Sequence, residues 1–271
     1  KLGFVPYKNY YLLKDEDKIY EFLSGRVMDL EGLATLYYSE DFKKLGIRPP
    51  GSFTANVRVN SGLNLLELDL SFEDVPKEEI RNLIHAYQVK KKYYRLKNGS
   101  FINLEEGNVD EVSKILSSLN VNSKNIEDNR VILEKQHAVY LDKVFTDRKL
   151  DFHKDRDFTM LTERILNPTV TDYKIPNEIQ AELRPYQITG YKWLRTLAEH
   201  ELGGILADDM GLGKTLQSIV YISSIILENK EKQDSKPHFL IVCPTSLTYN
   251  WLDEIESFAP FIKATVVSGA P

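Results

Sequence analysis

The sequence predicts an α/β protein in two parts: a mixed α+β domain over residues 1–172, then a partial parallel α/β lobe built on a phosphate loop over residues 173–271. Three observations carry this reading. Up to about residue 172, short stretches with the period of strands alternate with stretches of helical period. Beyond it the order becomes helix, strand, loop, helix, strand, helix, strand. Between the two, residues 167–176 (NPTVTDYKIP) hold two prolines and no periodicity. Finally, residues 203–217 (GGILADDMGLGKTLQ) run from an apolar stretch through a glycine loop into an amphipathic segment.

In the first part, residues 15–23 read as a helix and 33–38 as a strand rich in Tyr and Leu. Residues 53–59 and 66–72 alternate apolar and polar side chains. Asn60, Ser61 and Gly62 between them tolerate positive φ, so the pair reads as a hairpin with one buried face. Pro76 suits a helix start, with Ile80, Leu83, Ile84 and Tyr87 as the apolar stripe behind it. Residues 93–96 and 101–104 flank Asn98-Gly99, a strong hairpin signal. Asn108 and Glu111 have the spacing of a capping box for a helix carrying Val112, Ile115, Leu116 and Leu119. A strand at 131–133 and helices around Leu141 and Leu161 complete the part.

In the second part, residues 186–200 read as a helix with Trp193, Leu194 and Leu197 inward, and 247–258 as another. Residues 205–207, 239–242 and 264–267 are apolar runs of the kind found in parallel sheets, which bind ligands at the carboxyl ends of their strands.

Composition bounds the function. A length of 271 residues fits about two domains, and a chain of this size buries roughly three quarters of its unfolded surface. Hydrophobic content of 42%, with 15 Tyr and 12 Phe, fits a globular protein. A formal charge of -5 excludes a broadly basic nucleic-acid glove, leaving DNA contact to local patches. The single cysteine, Cys243, excludes an internal disulfide framework and a cysteine-rich zinc site, and it reads as a small buried hydrophobe in a reducing compartment. The five histidines are scattered and suggest no metal site, no apolar run reaches the ~20 residues of a membrane helix, and no signal peptide opens the chain. The absence of an initial Met and the strand-like run just before Pro271 suggest a piece of a longer protein.

The chemistry lies in the loop. Gly211 and Gly213 allow backbone N–H groups to turn inward around a polyphosphate, and the helix start adds unpaired donors and the positive end of its dipole. Lys214 is placed to reach the β and γ phosphates, and the Thr215 hydroxyl to sit on Mg²⁺. The usual pattern has glycine five residues before Gly213, where this chain has Asp208. The plain alternative is a glycine turn that starts a core helix. Lys90, Lys91 and Lys92, followed by Tyr93, Tyr94, Arg95 and Lys97, form the one concentrated basic patch with aromatics interleaved; it reads as a charged edge strand or as a DNA-contacting hairpin.

Three segments in order resemble the first motor lobe, RecA-like in fold, of Swi/Snf-type ATPases, DNA translocases of helicase superfamily two. They are LRPYQ at 183–187 with GYKWL at 190–194, LADDMGLGKTLQ at 206–217, and IVCPTSL at 241–247 running to Asn250, Trp251 and Glu254. That family's loop reads ADxMGLGKT, which accounts for Asp208. The first part, through YRLKNGSF at 94–101 and its layout, resembles the helicase-associated region that precedes the motor in bacterial members.

The resemblance implies ATP and Mg²⁺ as ligands. Asp209, Met210, Gly211, Leu212, Gly213, Lys214, Thr215 and Leu216 then form the phosphate site, Lys214 and Thr215 being the catalytic pair. Gln187 would read the adenine edge, since an amide offers both a donor and an acceptor; otherwise it is a solvated glutamine at a helix start. Pro244, Thr245 and Ser246 would grip a DNA phosphate where a strand gives way to a helix, an arrangement that also caps the helix. The implied partners are double-stranded DNA, through the full motor, and RNA polymerase or other proteins through residues 1–172. No membrane is implied, and the implied location is the cytoplasm, on the nucleoid.

Phosphoryl transfer by such motors needs an acidic pair after a further strand, and no DExx or DExH segment follows Val267. Asp253-Glu254 falls on a predicted helix and Asp208-Asp209 in the loop itself. The parent therefore reads as an ATP hydrolase, and this stretch alone as nearly inactive. Two other readings stay open: a P-loop kinase or GTPase, and a regulatory or docking module over 1–172 joined to a nucleotide-binding domain of another kind.

Overall fold

The computed structural model describes residues 3–31, 34–232 and 237–267. It divides into two compact units, Lys1–Phe158 and Thr159–Pro271. The chain is α/β, with mixed sheets and helices in the first unit and a partial RecA-like lobe in the second.

The first unit opens with β1 (Val5–Tyr7) and β2 (Tyr10–Leu12), an antiparallel pair. Helix α1 (Glu16–Glu21) starts at Asp15, whose carboxylate accepts from the Lys18 N–H at 3.0 Å. It runs through a π-helical stretch, Phe22–Arg26, into α2 (Val27–Glu31), longer than the helix predicted over 15–23. The strand predicted over 33–38 is not formed. Leu33 lies outside the described residues, 34–39 pair with nothing in a ladder, and the Tyr37 side chain is exposed. A composition rich in Tyr and Leu makes no strand without a neighbour to accept its hydrogen bonds.

Helix α3 (Glu40–Lys44) and β3 (Ile47–Arg48) lead to the central hairpin, β4 (Phe53–Asn60) and β5 (Leu65–Phe72), in register from Phe53–Phe72 to Asn60–Leu65. Phe53, Ala55 and Val57 are buried with Leu66, Leu68, Leu70 and Phe72, the period-2 face that the sequence shows. The turn differs from expectation. Asn64 takes the left-handed position at φ 57, Gly62 does not, and Asn60 Oδ1 accepts from the Leu63 N–H at 3.1 Å.

Helix α4 (Lys77–Gln88) buries Ile80, Leu83 and Ile84. It is followed by β6 (Tyr93–Arg95), β7 (Phe101–Asn103) and α5 (Val109–Ser118), which buries Val112, Ile115 and Leu116. Strands β3, β7 and β6 make a small sheet in that order, its hairpin turning at Gly99 with φ 92. Glu79 of α4, 2% exposed, anchors this hairpin by accepting from the Lys97 N–H at 3.1 Å and from Tyr94 Oη at 3.0 Å.

One expectation fails nearby and another holds in part. Asn108 makes no side-chain cap, so its capping box with Glu111 is absent; the box forms instead between Asn122 and Asn125. Of the basic patch read as a charged edge strand, Tyr93–Arg95 do form the edge strand β6, but Lys90 to Lys92 precede it. They close α4, where the Lys91 N–H reaches the Ala86 carbonyl at 3.0 Å and Lys90 takes φ 60. The main sheet is completed by β8 (Ile126–Glu127), β9 (Arg130–Glu134) and, after α6 (Ala138–Asp147), β10 (Asp151–Lys154). Its order is β10-β4-β5-β9-β8, with β10 parallel to β4 and the rest antiparallel. Helix α7 (Arg156–Leu166) crosses the division between the units.

The second unit is organised by α8 (Pro185–Glu199), α9 (Lys214–Glu231) and α10 (Thr248–Phe258) around Tyr191, Ile219, Val220, Ile255 and Ala259. Tyr173, Ile175, Ile179 and Leu183 pack on the same core, and Tyr191 Oη donates to the Lys174 carbonyl at 2.8 Å. Arg195 ties α8 to α9 through Glu228 at 2.5 Å while its guanidinium stands 5.1 Å from the centre of the Tyr173 ring. Lys232 and Arg195 together hold the Glu228 carboxyl below the usual carboxylate range. Desolvation and the hydrogen bond to Glu199 push the Tyr173 phenol up to about 12.

The three runs predicted as parallel strands, 205–207, 239–242 and 264–267, have no ladder partner among the described residues. Each nevertheless has two unlike faces. Leu206, Ile241 and Val266 are partly covered, and Ile241 packs on the helical core; Ile205, Leu240, Val242 and Val267 are each more than 85% exposed.

Candidate functional site

The loop between Leu206 and α9 is shaped by its glycines. Gly211 and Gly213 hold φ 84 and 72, left-handed values that a side chain resists, and they reverse the backbone into the helix. A Cβ on Gly211 would meet open space, whereas one on Gly213 would stand 2.5 Å from Gln187 Nε2. Gly213 is the N-cap of α9 and offers no side chain to it. The first-turn N–H groups of Lys214, Thr215 and Leu216 therefore have no partner among the described residues, at the positive end of an 18-residue helix.

The Lys214 ammonium folds back over the loop and donates to the carbonyls of Asp208 at 2.6 Å and Asp209 at 2.9 Å. The Thr215 hydroxyl makes no hydrogen bond among the described residues. Asp209 and Met210 are exposed at the bend, and Leu212 is half-buried. An uncapped helix start, an ammonium held only by two backbone carbonyls, and two left-handed glycines, of which Gly211 faces open space, fit a polyphosphate. Among the described residues no three His, Cys, Asp or Glu side chains are grouped to hold a metal, so Mg²⁺ here would rest on Thr215 and on phosphate oxygens.

Gln187 stands beside the loop, on the first turn of α8, and is 6% exposed. It is not solvated. Its Oε1 accepts from the Arg184 N–H at 2.9 Å, capping α8, and its Nε2 donates to the Leu212 carbonyl at 3.1 Å. Tyr186 Oη donates to the same carbonyl at 3.2 Å. Both ends of the amide proposed to read adenine are thus engaged within the protein.

Pro244, Thr245 and Ser246 lie at the start of a 3₁₀ turn, Thr245–Leu247, that runs into α10, and all three are exposed. Thr248 Oγ1 donates to the Thr245 carbonyl at 2.6 Å, and no hydrogen bond joins these residues to the loop among those described. Cys243 is a half-buried free thiol. Asp253 and Glu254 are on α10, as the sequence indicates, and burial pushes the Glu254 carboxyl up.

Sequence reasoning missed three participants: Gly190, Gln217 and the side chain of Asp208. Gln217 Nε2 donates to Asp208 Oδ2 at 3.0 Å, and a Cβ on Gly190 would stand 1.9 Å from Gln217 Oε1. The signal was a glycine inside a helical pattern, which costs helix stability and so points to a packing need.

Residues 1–176 match the family model described as bacterial SNF2 helicase associated, and residues 186–271 that of the SNF2-related domain. An uncharacterized ATP-dependent helicase of Mycoplasma pneumoniae is 31% identical over 205 residues, 74% of this chain and 19% of the relative. The TATA-binding protein-associated factor mot1 of Schizosaccharomyces pombe is 42% identical over 126 residues, 44% of this chain and 6% of that protein. Helicase SWR1 of Debaryomyces hansenii is 35% identical over 167 residues, 62% of this chain and 10% of that protein. The chain thus spans only 6% to 19% of these relatives.

Proposed function

We propose that this chain, which belongs to the bacterial SNF2 helicase-associated family, is part of a DNA-dependent ATPase that travels along double-stranded DNA. The observation that carries the reading is the uncapped start of α9 behind two left-handed glycines, with one ammonium folded over them. ATP supplies the phosphoryl group when bound. Lys214, now on the carbonyls of Asp208 and Asp209, would hold the β and γ phosphates. The backbone from Asp209 through Gly211, Leu212 and Gly213 to Leu216 would bind the phosphates, and the Thr215 hydroxyl would hold Mg²⁺.

Gln187 contributes to adenine recognition by sharing or releasing one of its two internal hydrogen bonds. The exposed Pro244, Thr245 and Ser246 turn contacts a DNA phosphate. Residues 1–172 act as a separate domain from 173–271, docking proteins such as RNA polymerase or regulating the motor, in the cytoplasm on the nucleoid. Among the described residues no helix is long and apolar enough to cross a membrane.

Calorimetric titration with Mg-ATP tests the nucleotide site. Binding is expected for the chain as it stands, weakened at least ~10-fold by Lys214→Ala, since a hydrogen bond to a charged group is worth about 1.5–3 kcal/mol. A folded wild-type chain that takes up no Mg-ATP would overturn the reading.

A further inference from the structure

Asp208 stands where phosphate loops usually carry glycine, and two side chains of α9 engage it from different directions. Its carbonyl accepts from Lys214 Nζ at 2.6 Å and its carboxylate accepts from Gln217 Nε2 at 3.0 Å. Lys214 and Gln217 are three apart and so share a helix face. Gln217 is fully buried, and its Oε1 has no hydrogen-bond partner. An amide in that position is costly where an apolar side chain would pack without loss.

The room for this amide comes from Gly190 in the interior of α8, where any Cβ would collide with Gln217 Oε1 at 1.9 Å. The other arm of the loop is held in the same way: Gln187 Nε2 takes the Leu212 carbonyl at 3.1 Å, and the missing Cβ of Gly213 leaves room for it. One glutamine from each helix therefore pins one arm of the bend, and a glycine on the opposite element admits each amide.

We propose that Gln217 is a positioning residue for the phosphate loop, acting through the Asp208 carboxylate and given its place by Gly190. It touches no phosphate. By fixing Asp208 it sets where the first arm of the loop begins and where the Lys214 ammonium rests, so less ordering remains to be done when an anion arrives. This inference rests on the phosphate-loop reading above.

The test exchanges donor and acceptor. Gln217→Glu alone sets two carboxylates against each other; Gln217→Glu with Asp208→Asn restores one amide–carboxylate hydrogen bond in the opposite sense. Hydrogen exchange of the 208–216 amides in the nucleotide-free chain is read together with Mg-ATP affinity and thermal stability. Gln217→Glu is expected to speed loop exchange and to weaken Mg-ATP by about tenfold, and the double variant to recover both to within about twofold, as coupled neighbours do. Gln217→Met, which cannot donate, replaces the single variant if that one does not fold.

Unchanged loop exchange in the folded single variant, or a folded double variant that recovers nothing, would sink the proposal. A uniform loss of thermal stability with loop exchange and affinity intact would show a purely structural glutamine and sink it equally. If the wild-type chain takes up no Mg-ATP but its loop loosens and is rescued, the positioning role stands and the nucleotide reading falls.

Discussion

Gly190 illustrates how much one side chain can decide. In a helix interior glycine is about 0.5–1 kcal/mol worse than alanine, so propensity alone favours Gly190→Ala. The 1.9 Å approach to Gln217 Oε1 opposes it, because Gln217 is fully buried and one of the two must shift. Gly190→Ala is therefore expected to lower the unfolding free energy by about 1–3 kcal/mol in urea denaturation. Gly203→Ala, at an exposed position with nothing within 4 Å of the added Cβ, should change it by less than ~0.5 kcal/mol. A stabilised Gly190→Ala would mean that the Gln217 contact is not what holds that glycine. The same scale shows why the role of Gln187 was read incompletely. The sequence shows a glutamine at a helix start, and only the fold shows that its amide is already engaged at both ends.

At the level of elements, helices and paired strands were the legible part, since α4, α5, α8, α9 and α10 follow the 3.6-residue apolar period and β4 with β5 the period of two. Turns were less so: the central hairpin turns through Asn64 and not Gly62, because asparagine also tolerates the left-handed region. The runs 205–207, 239–242 and 264–267 were read as parallel strands, yet they hold no ladder among the described residues, and only one face of each is covered. This asymmetry is measurable. Ile241→Ser should cost about 1–2 kcal/mol in chemical denaturation, since Ile241 packs on the helical core, while Leu240→Ser, at an 88% exposed position, should stay within ~0.5 kcal/mol. Equal costs for the two would mean that 239–242 sits on the core otherwise than described.

For the molecule as a whole, binding and turnover separate. The glycine loop proposed to hold phosphate is formed, but neither of the acidic pairs in the second unit suits an attacking water: Asp253-Glu254 is on α10, and the backbone carbonyls of Asp208-Asp209 hold Lys214. Steady-state hydrolysis by the 271-residue chain should accordingly be negligible and unmoved by double-stranded DNA. DNA-stimulated turnover abolished by Lys214→Ala would show that a carboxylate in this chain does serve the reaction. Two properties of the whole could be read without coordinates, the α/β class and the resemblance to Swi/Snf-type motors, because apolar periodicity and the spacing of GLGKT are local in the chain. What required the tertiary structure was every relation between distant residues: Gln187 with Leu212, Gln217 with Asp208 and Gly190, and Glu79 with the hairpin of Tyr94 and Lys97. A hydrogen bond and a steric gap depend on where two helices bring their side chains in space, and a one-dimensional pattern carries no such distance.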